Sequence, residues 1–257
     1  MSAPGRLVIV GLGPGGPHWL TPAARAALDG ASDLIGYGPY LDRLGDLRPD
    51  QRRHASDNRV ELERARHALT LAAEGRRVAV VSGGDPGVFA MAAAVFEAVE
   101  GGDPAWAGLD IHVEPGVTAM LAAAARAGAP LGGDFCAISL SDNLKPWEVL
   151  EKRLAAALSA DFVICLYNPI SRARPWQLGR ALAIAREHRA PETPVIFARA
   201  VGRADEKLTV VPLAEAAGGL ADMATLVIIG ASTTRCVLRP AGERPWVYTP
   251  RSYGGGR

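Results

Sequence analysis

Three short stretches combine residue types that could do chemistry: Gly11-Leu-Gly-Pro-Gly-Gly16, Ser82-Gly-Gly-Asp-Pro-Gly87 and Glu114-Pro-Gly-Val-Thr118. Each strips side chains from the backbone, so a ligand can approach the main chain closely. The middle stretch also carries a carboxylate. Asp85 reads in two compatible ways. It can be a helix N-cap with Pro86 at the first helical position, or a ligand-binding group in the crevice where open α/β sheets take their ligands. Gly11, Gly13 and Gly16 satisfy the dinucleotide pattern G-x-G-x-x-G literally. That pattern needs its third glycine inside the helix that opens on the pyrophosphate. Here Pro14 and Pro17 stiffen the turn and the helix starts only at about Pro22, so its N-terminus is displaced from the loop and poorly placed to hold phosphate. The acidic residue about twenty positions on, Asp33, opens the next strand, whereas a ribose-binding carboxylate ends one. A phosphate-free cofactor resting on bare backbone fits better; a Gly-Pro turn without a ligand is the alternative.

Other chemistries lack their residues. The five histidines, His18, His54, His67, His112 and His188, form no metal-ligand spacing, so no metal is expected. No G-x-S-x-G elbow and no P-loop lysine occurs. Tyr40, Tyr167 and Trp147 could stack on a ring or simply pack.

The elements that must position these stretches alternate between strand and helix. Leu7 to Val10 reads as a buried strand, and Thr21-Pro22 as a helix start. Asp33 to Gly36 is a strand, followed by the rigid aromatic loop Tyr37-Gly-Pro-Tyr40. Arg48 to Arg59 is polar and unpatterned and reads as an exposed loop. A helix is expected from about Val60 to Glu74, ended by Gly75, then a strand from Arg77 to Val81 and a helix from about Val88 to Val99. Leu109 to Val113 delivers the third stretch into an alanine-rich helix. Gly128-Ala-Pro-Leu-Gly-Gly-Asp134 has the composition of a linker, which divides the chain into an α/β domain over 1–131 and a second over 132–240. The second half keeps the alternation, with strands at 135–140, 162–167, 194–198, 208–211 and 225–229. Residues 241–257 close a proline-, glycine- and arginine-rich tail, expected to be loosely held.

Composition bounds the rest. At 257 residues, 49% apolar and 21% charged, the chain can build a full globular core. A net charge of +1 argues against a general nucleic-acid binder, and any anionic ligand must be met by local arginines. No membrane span and no apolar signal core occurs. Cys136, Cys165 and Cys236 are an odd number in no metal spacing; Cys136 and Cys165 lie in apolar strand patterns and read as reduced core residues. The expectation is a cytoplasmic protein.

In this order and spacing, Gly11-x-Gly-Pro-Gly15 with Leu20-Thr21, Gly84-Asp-Pro86, Pro115-Gly-Val-Thr118 and Tyr167-Asn168 resemble the S-adenosylmethionine-dependent tetrapyrrole (corrin/porphyrin) methyltransferases, over nearly all of Arg6 to Ser232. Gly36-Tyr-Gly-Pro-Tyr40, Ser56-Asp-Asn-Arg59, Gly128-Ala-Pro-Leu131, Ile138-Ser-Leu-Ser-Asp142 and Pro146-Trp-Glu148 resemble its ring-contracting branch. One departure is Gly133, where relatives are expected to carry histidine. The resemblance implies two α/β domains with a cofactor cleft between them, not a Rossmann fold, and a homodimer. It implies methyl transfer to carbon 17 of precorrin-3B with loss of one perimeter carbon. It places S-adenosylmethionine, with S-adenosylhomocysteine as product, against Gly13, Pro14, Gly83, Gly84, Asp85, Val88, Thr118, Ala119 and Asn168, and against backbone near Ala200, Ala224 and Thr225. Asp85, Tyr40 and Asp142 are unranked candidates for the base that contraction needs. The macrocycle is a polyanion, for which arginine forks suit. Arg172 and Arg174 follow one strand end, Arg199 and Arg203 the next, and Arg59 lies in a branch motif. Three rivals stand beside this reading: methylation of the cobalt-containing counterpart of the same macrocycle, a nicotinamide oxidoreductase, and a non-catalytic tetrapyrrole carrier.

Overall fold

The computed structural model describes residues 5–46, 48–57, 60–240 and 242–253. It divides into two compact units, Met1–Ala119 and Met120–Arg257. In the first unit Arg6–Gly11 (β1), Asp33–Tyr37 (β2), Arg52–Ser56 (β3), Arg77–Ser82 (β4) and Asp110–Glu114 (β5) form a wholly parallel sheet. Its order, β3-β2-β4-β1-β5, is not the 3-2-1-4-5 order of a dinucleotide fold. Helices Pro22–Gly30 (α1), Gly38–Leu41 (α2), Glu61–Ala73 (α3) and Met91–Glu100 (α4) make the crossovers. Alternate β1 residues go to opposite faces. Leu7 and Ile9 pack with α3 and α4, and Val8 and Val10 with α1. Burial on both faces is why β1 and β4 read as unbroken apolar runs. The Thr21 hydroxyl caps α1 by accepting from Ala24 N at 3.1 Å, and Gly75, at φ 87°, follows the end of α3. Because β4, β1 and β5 are neighbours, the three Gly/Pro stretches leave the same carboxyl edge side by side.

Asp33 lies at the opposite, amino edge and is fully buried. Its carboxylate meets His54 Nε2 and Arg76 Nε, each at 2.8 Å, and the Ser32 hydroxyl at 2.8 Å. Burial pushes this carboxyl up, but His54, Ser32 and Arg76 outweigh it and hold the group below its ordinary range. It is a structural anchor, far from any place a ribose-binding carboxylate could serve.

Two expectations for this unit are corrected. The polar stretch 48–59 is not all loop, because β3 pairs in parallel with β2. It is an edge strand whose bonds are made by the main chain, so Arg52 and Arg53 stay exposed and no apolar pattern results. The helix after the second stretch starts at Met91 rather than near Val88, because residues 85–88 form a turn closed by Val88 N on Asp85 O at 3.3 Å.

The second unit takes up at Met120, inside helix Ala119–Ala127 (α5). Its elements are Gly128–Ala129 (β6), Phe135–Ser139 (β7), Trp147–Ser159 (α6), Val163–Tyr167 (β8), Gln177–His188 (α7), Pro194–Arg199 (β9), Lys207–Pro212 (β10), Thr225–Ile229 (β11), Arg235–Val237 (β12) and Trp246–Tyr248 (β13). The main sheet runs β10-β9-β11-β8-β7. Only β7 and β8 are parallel; the other pairs are antiparallel. Leu150, Leu154 and Leu158 of α6 and Leu178 and Leu182 of α7 close its core with Ile164, Leu166 and Phe197.

The division expected at 131 falls earlier. Gly128–Ala129 is a strand parallel to β13, not a linker, and Met120 N donates to the Tyr167 hydroxyl at 3.0 Å, which ties α5 to this unit. For the same reason the tail is not loosely held up to Tyr253. Val247 of β13 is fully buried, the Thr249 hydroxyl donates to Pro130 O at 2.6 Å, and Tyr253 donates to Asp161 at 3.0 Å. Among the described residues no helix is long and apolar enough to cross a membrane.

Candidate functional site

At the carboxyl edge of the first sheet the three stretches lock onto one another. Gly13 N donates to Gly84 O at 3.1 Å and Gly84 N to Gly13 O at 3.0 Å. Both residues take left-handed φ, 67° and 66°, where a side chain is strained. A Cβ on Gly116 would fall 2.2 Å from Gly84 O, and one on Gly11 2.6 Å from Gly116 N. A Cβ on Gly83 would fall 2.8 Å from Cζ of the Tyr40 ring. The glycines expected to clear space for a ligand therefore serve, in large part, close backbone packing between loops. Gly84, like Gly16, is not crowded. A Cβ on Gly84 would stand 3.7 Å from Thr118 Cα and 3.9 Å from Ala119 N, so the space beside it takes a methyl-sized group without a clash.

Asp85 does not cap α4, which starts at Met91. Its Oδ1 accepts from Gly87 N at 2.8 Å and its Oδ2 from Gly116 N at 3.0 Å. The carboxylate thus shapes the second stretch and ties it to the third. Pro14, Gly83, Val88, Thr118 and Ala119 all lie on these loops or at the start of α5, with Thr118 buried and Val88 half-buried. Tyr40, on α2, reaches the second stretch and stacks edge-on against Tyr37 at 5.4 Å. One further contributor escaped sequence reading: Arg43, in the 3₁₀ turn Asp42–Leu44, donates to three carbonyls of the first stretch.

The second unit has its own row of exceptional residues along one sheet edge. Asn168 follows β8 and Ala200 follows β9, with φ 50° and 49°, a left-handed conformation costing a non-glycine residue roughly 1–2 kcal/mol. Ala224 and Thr225 enter the intervening strand β11, with Thr225 opposite Arg199 and Ala200 N donating to Ala224 O at 2.9 Å. The four residues expected on sequence grounds therefore share this edge. Asn168 Nδ2 donates to the Ser139 hydroxyl at 2.9 Å. Thr225 spends its hydroxyl on the Asp222 carboxylate at 2.8 Å and its main-chain N–H on Asp222 O at 3.2 Å. Asp142 accepts from Gln177 Nε2 at 3.1 Å.

The arginines separate into different jobs. Arg199 is paired with Asp222 and Asp205, each at 2.7 Å; donating hydrogen bonds to these two carboxylates pushes its own pKa up. Its guanidinium is therefore held by two carboxylates of its own unit. The hydrogen bond from Arg199 is the main cause that holds Asp205 below the usual carboxylate range, and Arg203 lies close enough to add to it. Arg174 donates to Asn168 O at 3.2 Å and Leu140 O at 3.5 Å, so it braces the Asn168 loop. Arg172 is exposed in the turn closed by Ser171 and Arg174. Arg59 lies outside the described residues. Trp147 and Trp176, at 4.7 Å and 71°, form an aromatic pair beside this turn, and Trp176 is half exposed. Among the described residues no group of His, Cys, Asp and Glu is assembled to hold a metal.

The sequence profile of the tetrapyrrole (corrin/porphyrin) methylases matches residues 6–217. A precorrin-3B C(17)-methyltransferase of Sinorhizobium sp is 60% identical over 98% of each chain. A probable cobalt-factor III C(17)-methyltransferase of Salmonella typhimurium is 40% identical over 96% of this chain and 99% of its own. Among solved structures, the methyltransferase CobJ superposes with a TM-score of 0.91 at 54% identity, over 96% of this chain and 100% of that one.

Proposed function

The chain belongs to the tetrapyrrole (corrin/porphyrin) methylase family, and from that premise we propose that it transfers a methyl group from S-adenosylmethionine to carbon 17 of precorrin-3B, with ring contraction to precorrin-4, in corrin-ring (cobalamin) biosynthesis. The observation that carries this reading is the 60% identity over 98% of each chain to a relative named for that reaction, against 40% for the cobalt-factor III relative. The nicotinamide alternative loses its support, because its glycine pattern is accounted for by loop packing and Asp33 is buried at the other end of the sheet.

The loops of the first unit suit this cofactor. Space beside Gly84 accepts an added group, and the four lone-pair sites of the Asp85 carboxylate are only half used by Gly87 N and Gly116 N. A ribose hydroxyl or an amino group can take the others. Gly13, Pro14, Gly83, Val88, Thr118 and Ala119 complete the proposed contacts on this unit, and Asn168, Ala200, Ala224 and Thr225 those on the other. Bound S-adenosylmethionine supplies an electrophilic methyl group on a sulfonium. The chain's part is orientation, worth roughly 7–11 kcal/mol when two reactants are held well. Ring contraction also requires removal of a hydroxyl proton, for which a base contributes about 10²–10⁴-fold. Since Asp85 is occupied in tying two loops, Tyr40 and Asp142 are the stronger candidates for that proton. Arg172, with Arg59 and Arg203, meets the anionic side chains of the macrocycle.

We take the working form to be a cytoplasmic homodimer with a two-fold axis; a light-scattering mass near the 26.9 kDa of one chain at micromolar concentration contradicts the dimer. Incubation with labelled S-adenosylmethionine and either metal-free precorrin-3B or its cobalt-containing equivalent tests the reaction. Label in the metal-free macrocycle supports the proposal, label in the cobalt form alone assigns the anaerobic counterpart, and label in neither leaves a carrier.

A further inference from the structure

Arg43 lies about thirty residues from the first Gly/Pro stretch, outside every motif quoted above, yet its side chain bonds three carbonyls of that stretch. Its Nη2 donates to Gly15 O at 2.5 Å, Gly13 O at 2.8 Å and Leu12 O at 3.2 Å. Two hydrogens serve three carbonyls, so at least one bond is shared. The loop needs such a tie. Gly13, Gly15 and Gly16 lose more conformational freedom on ordering than other residues, and each ordered residue costs on the order of 1–2 kcal/mol in backbone entropy. The stretch runs Gly13-Pro14-Gly15-Gly16, so it has no side chain of its own that can donate, and Pro14 has no N–H.

The position of the guanidinium is also specific. Gly13 O accepts from Arg43 and, at 3.0 Å, from Gly84 N. One carbonyl therefore joins the arginine to the bridge between the first and second stretches. The same short segment carries Tyr40, whose ring covers Gly83. Gly38 to Leu44 thus sets both loops from one side, Tyr40 by packing and Arg43 by charge-assisted hydrogen bonds, which are about twice as strong as neutral ones. A lysine ammonium also carries three donors, but it is strongly hydrated and sits on a more flexible stem, so it should hold these carbonyls less firmly.

We propose that Arg43 is a positioning residue for methyl transfer: by gathering the carbonyls of Leu12, Gly13 and Gly15 it fixes the first stretch in its cofactor-accepting form. The inference rests on the cofactor reading above, but its test separates the two. In the full chain without ligand, hydrogen exchange of a peptide spanning Gly11 to Leu20 is compared between wild type, Arg43→Ala and Arg43→Lys, and S-adenosylhomocysteine affinity is measured by calorimetry. Arg43→Ala is expected to speed exchange in that peptide at least tenfold, with exchange in the α7 peptide unchanged, and to weaken S-adenosylhomocysteine at least tenfold. Arg43→Lys should fall between, and low-millimolar methylguanidine should restore part of the affinity of Arg43→Ala. In turnover, KM for S-adenosylmethionine should rise while KM for the macrocycle stays within twofold.

Wild-type affinity in Arg43→Ala, or slow exchange retained in its loop peptide, overturns the assignment. If Arg43→Ala does not fold, Arg43→Met, which keeps the apolar stem and removes every donor, decides: unchanged exchange and affinity in it overturn the assignment. Failure of the wild-type protein to bind S-adenosylhomocysteine refutes the cofactor reading instead, and with it the role of Arg43 in methyl transfer, while the exchange comparison still reads the clamp.

Discussion

Replacing Gly116 with alanine puts the interlocked-loop account at risk. The new Cβ would sit 2.2 Å from Gly84 O and 2.9 Å from the Gly11 carbonyl carbon. All the crowding atoms are main chain, so no side chain can swing away, and relief requires a backbone shift of about 1 Å. Overpacking of this kind costs roughly 1–3 kcal/mol. The shift also strains the Asp85 Oδ2 bond to Gly116 N and the paired Gly13–Gly84 bonds, worth about 1.5–3 kcal/mol for the charged bond and about 1 kcal/mol for each neutral one. With about half of that lost, Gly116→Ala should destabilise the protein by about 3–5 kcal/mol, a large part of a typical total of about 5–15 kcal/mol. Gly179, on α7 with nothing within 4 Å of its Cβ position, is the control. Alanine there should stabilise by up to about 1 kcal/mol, by helix propensity. Urea denaturation followed by tryptophan fluorescence measures both. A Gly116→Ala protein within 1 kcal/mol of wild type refutes the packing argument and returns these glycines to the role of simple ligand clearance.

The remaining predictions concern charge. The lowered pKa of Asp33 gives a stability contribution that is full above its unfolded value of about 3.9 and is lost as pH falls through the folded value. Asp33→Asn should therefore cost about 3–5 kcal/mol at pH 7, because it leaves Arg76 and His54 facing an uncharged group; a gap to wild type that does not narrow below about pH 4 contradicts the anchor role. Arg172 and Arg174 should separate. Arg172→Gln is expected to raise KM for the macrocycle, most at low salt where attraction is least screened, with cofactor affinity unchanged. Arg174→Gln should weaken both ligands, since it frees the Leu140 and Asn168 carbonyls; steady-state kinetics at two ionic strengths would expose equal behaviour of the two variants, which is incompatible with this division.

Much of this was legible in the chain because it is local. Thr21-Pro22 sets a helix start by a hydroxyl cap and a fixed φ, and the structure starts α1 there. Continuous apolar runs mark β1, β4, β8 and β11 because those strands are buried on both faces. What the sequence could not carry is what fills the space a glycine leaves. Gly11 and Gly116 read the same whether a cofactor or another backbone lies opposite, and here it is each other. Asp85 followed by proline signals a helix start equally well as a local turn; only its bond to Gly116 N, 31 residues on, tells them apart. The strands β3 and β13 were missed because edge and short strands are defined by main-chain partners, not by side-chain pattern. Arg43 and Arg174 illustrate a related limit. Both are arginines near loops, and only the structure turns their guanidinium groups toward carbonyls instead of solvent.

The central claim is methyl transfer to carbon 17 of precorrin-3B, and carbon-13 NMR of the product formed from methyl-labelled S-adenosylmethionine and metal-free precorrin-3B tests it most directly. The account predicts one labelled methyl group attached at carbon 17 of a macrocycle whose perimeter is one carbon shorter. Label at another ring position, or at carbon 17 of an uncontracted ring, contradicts it.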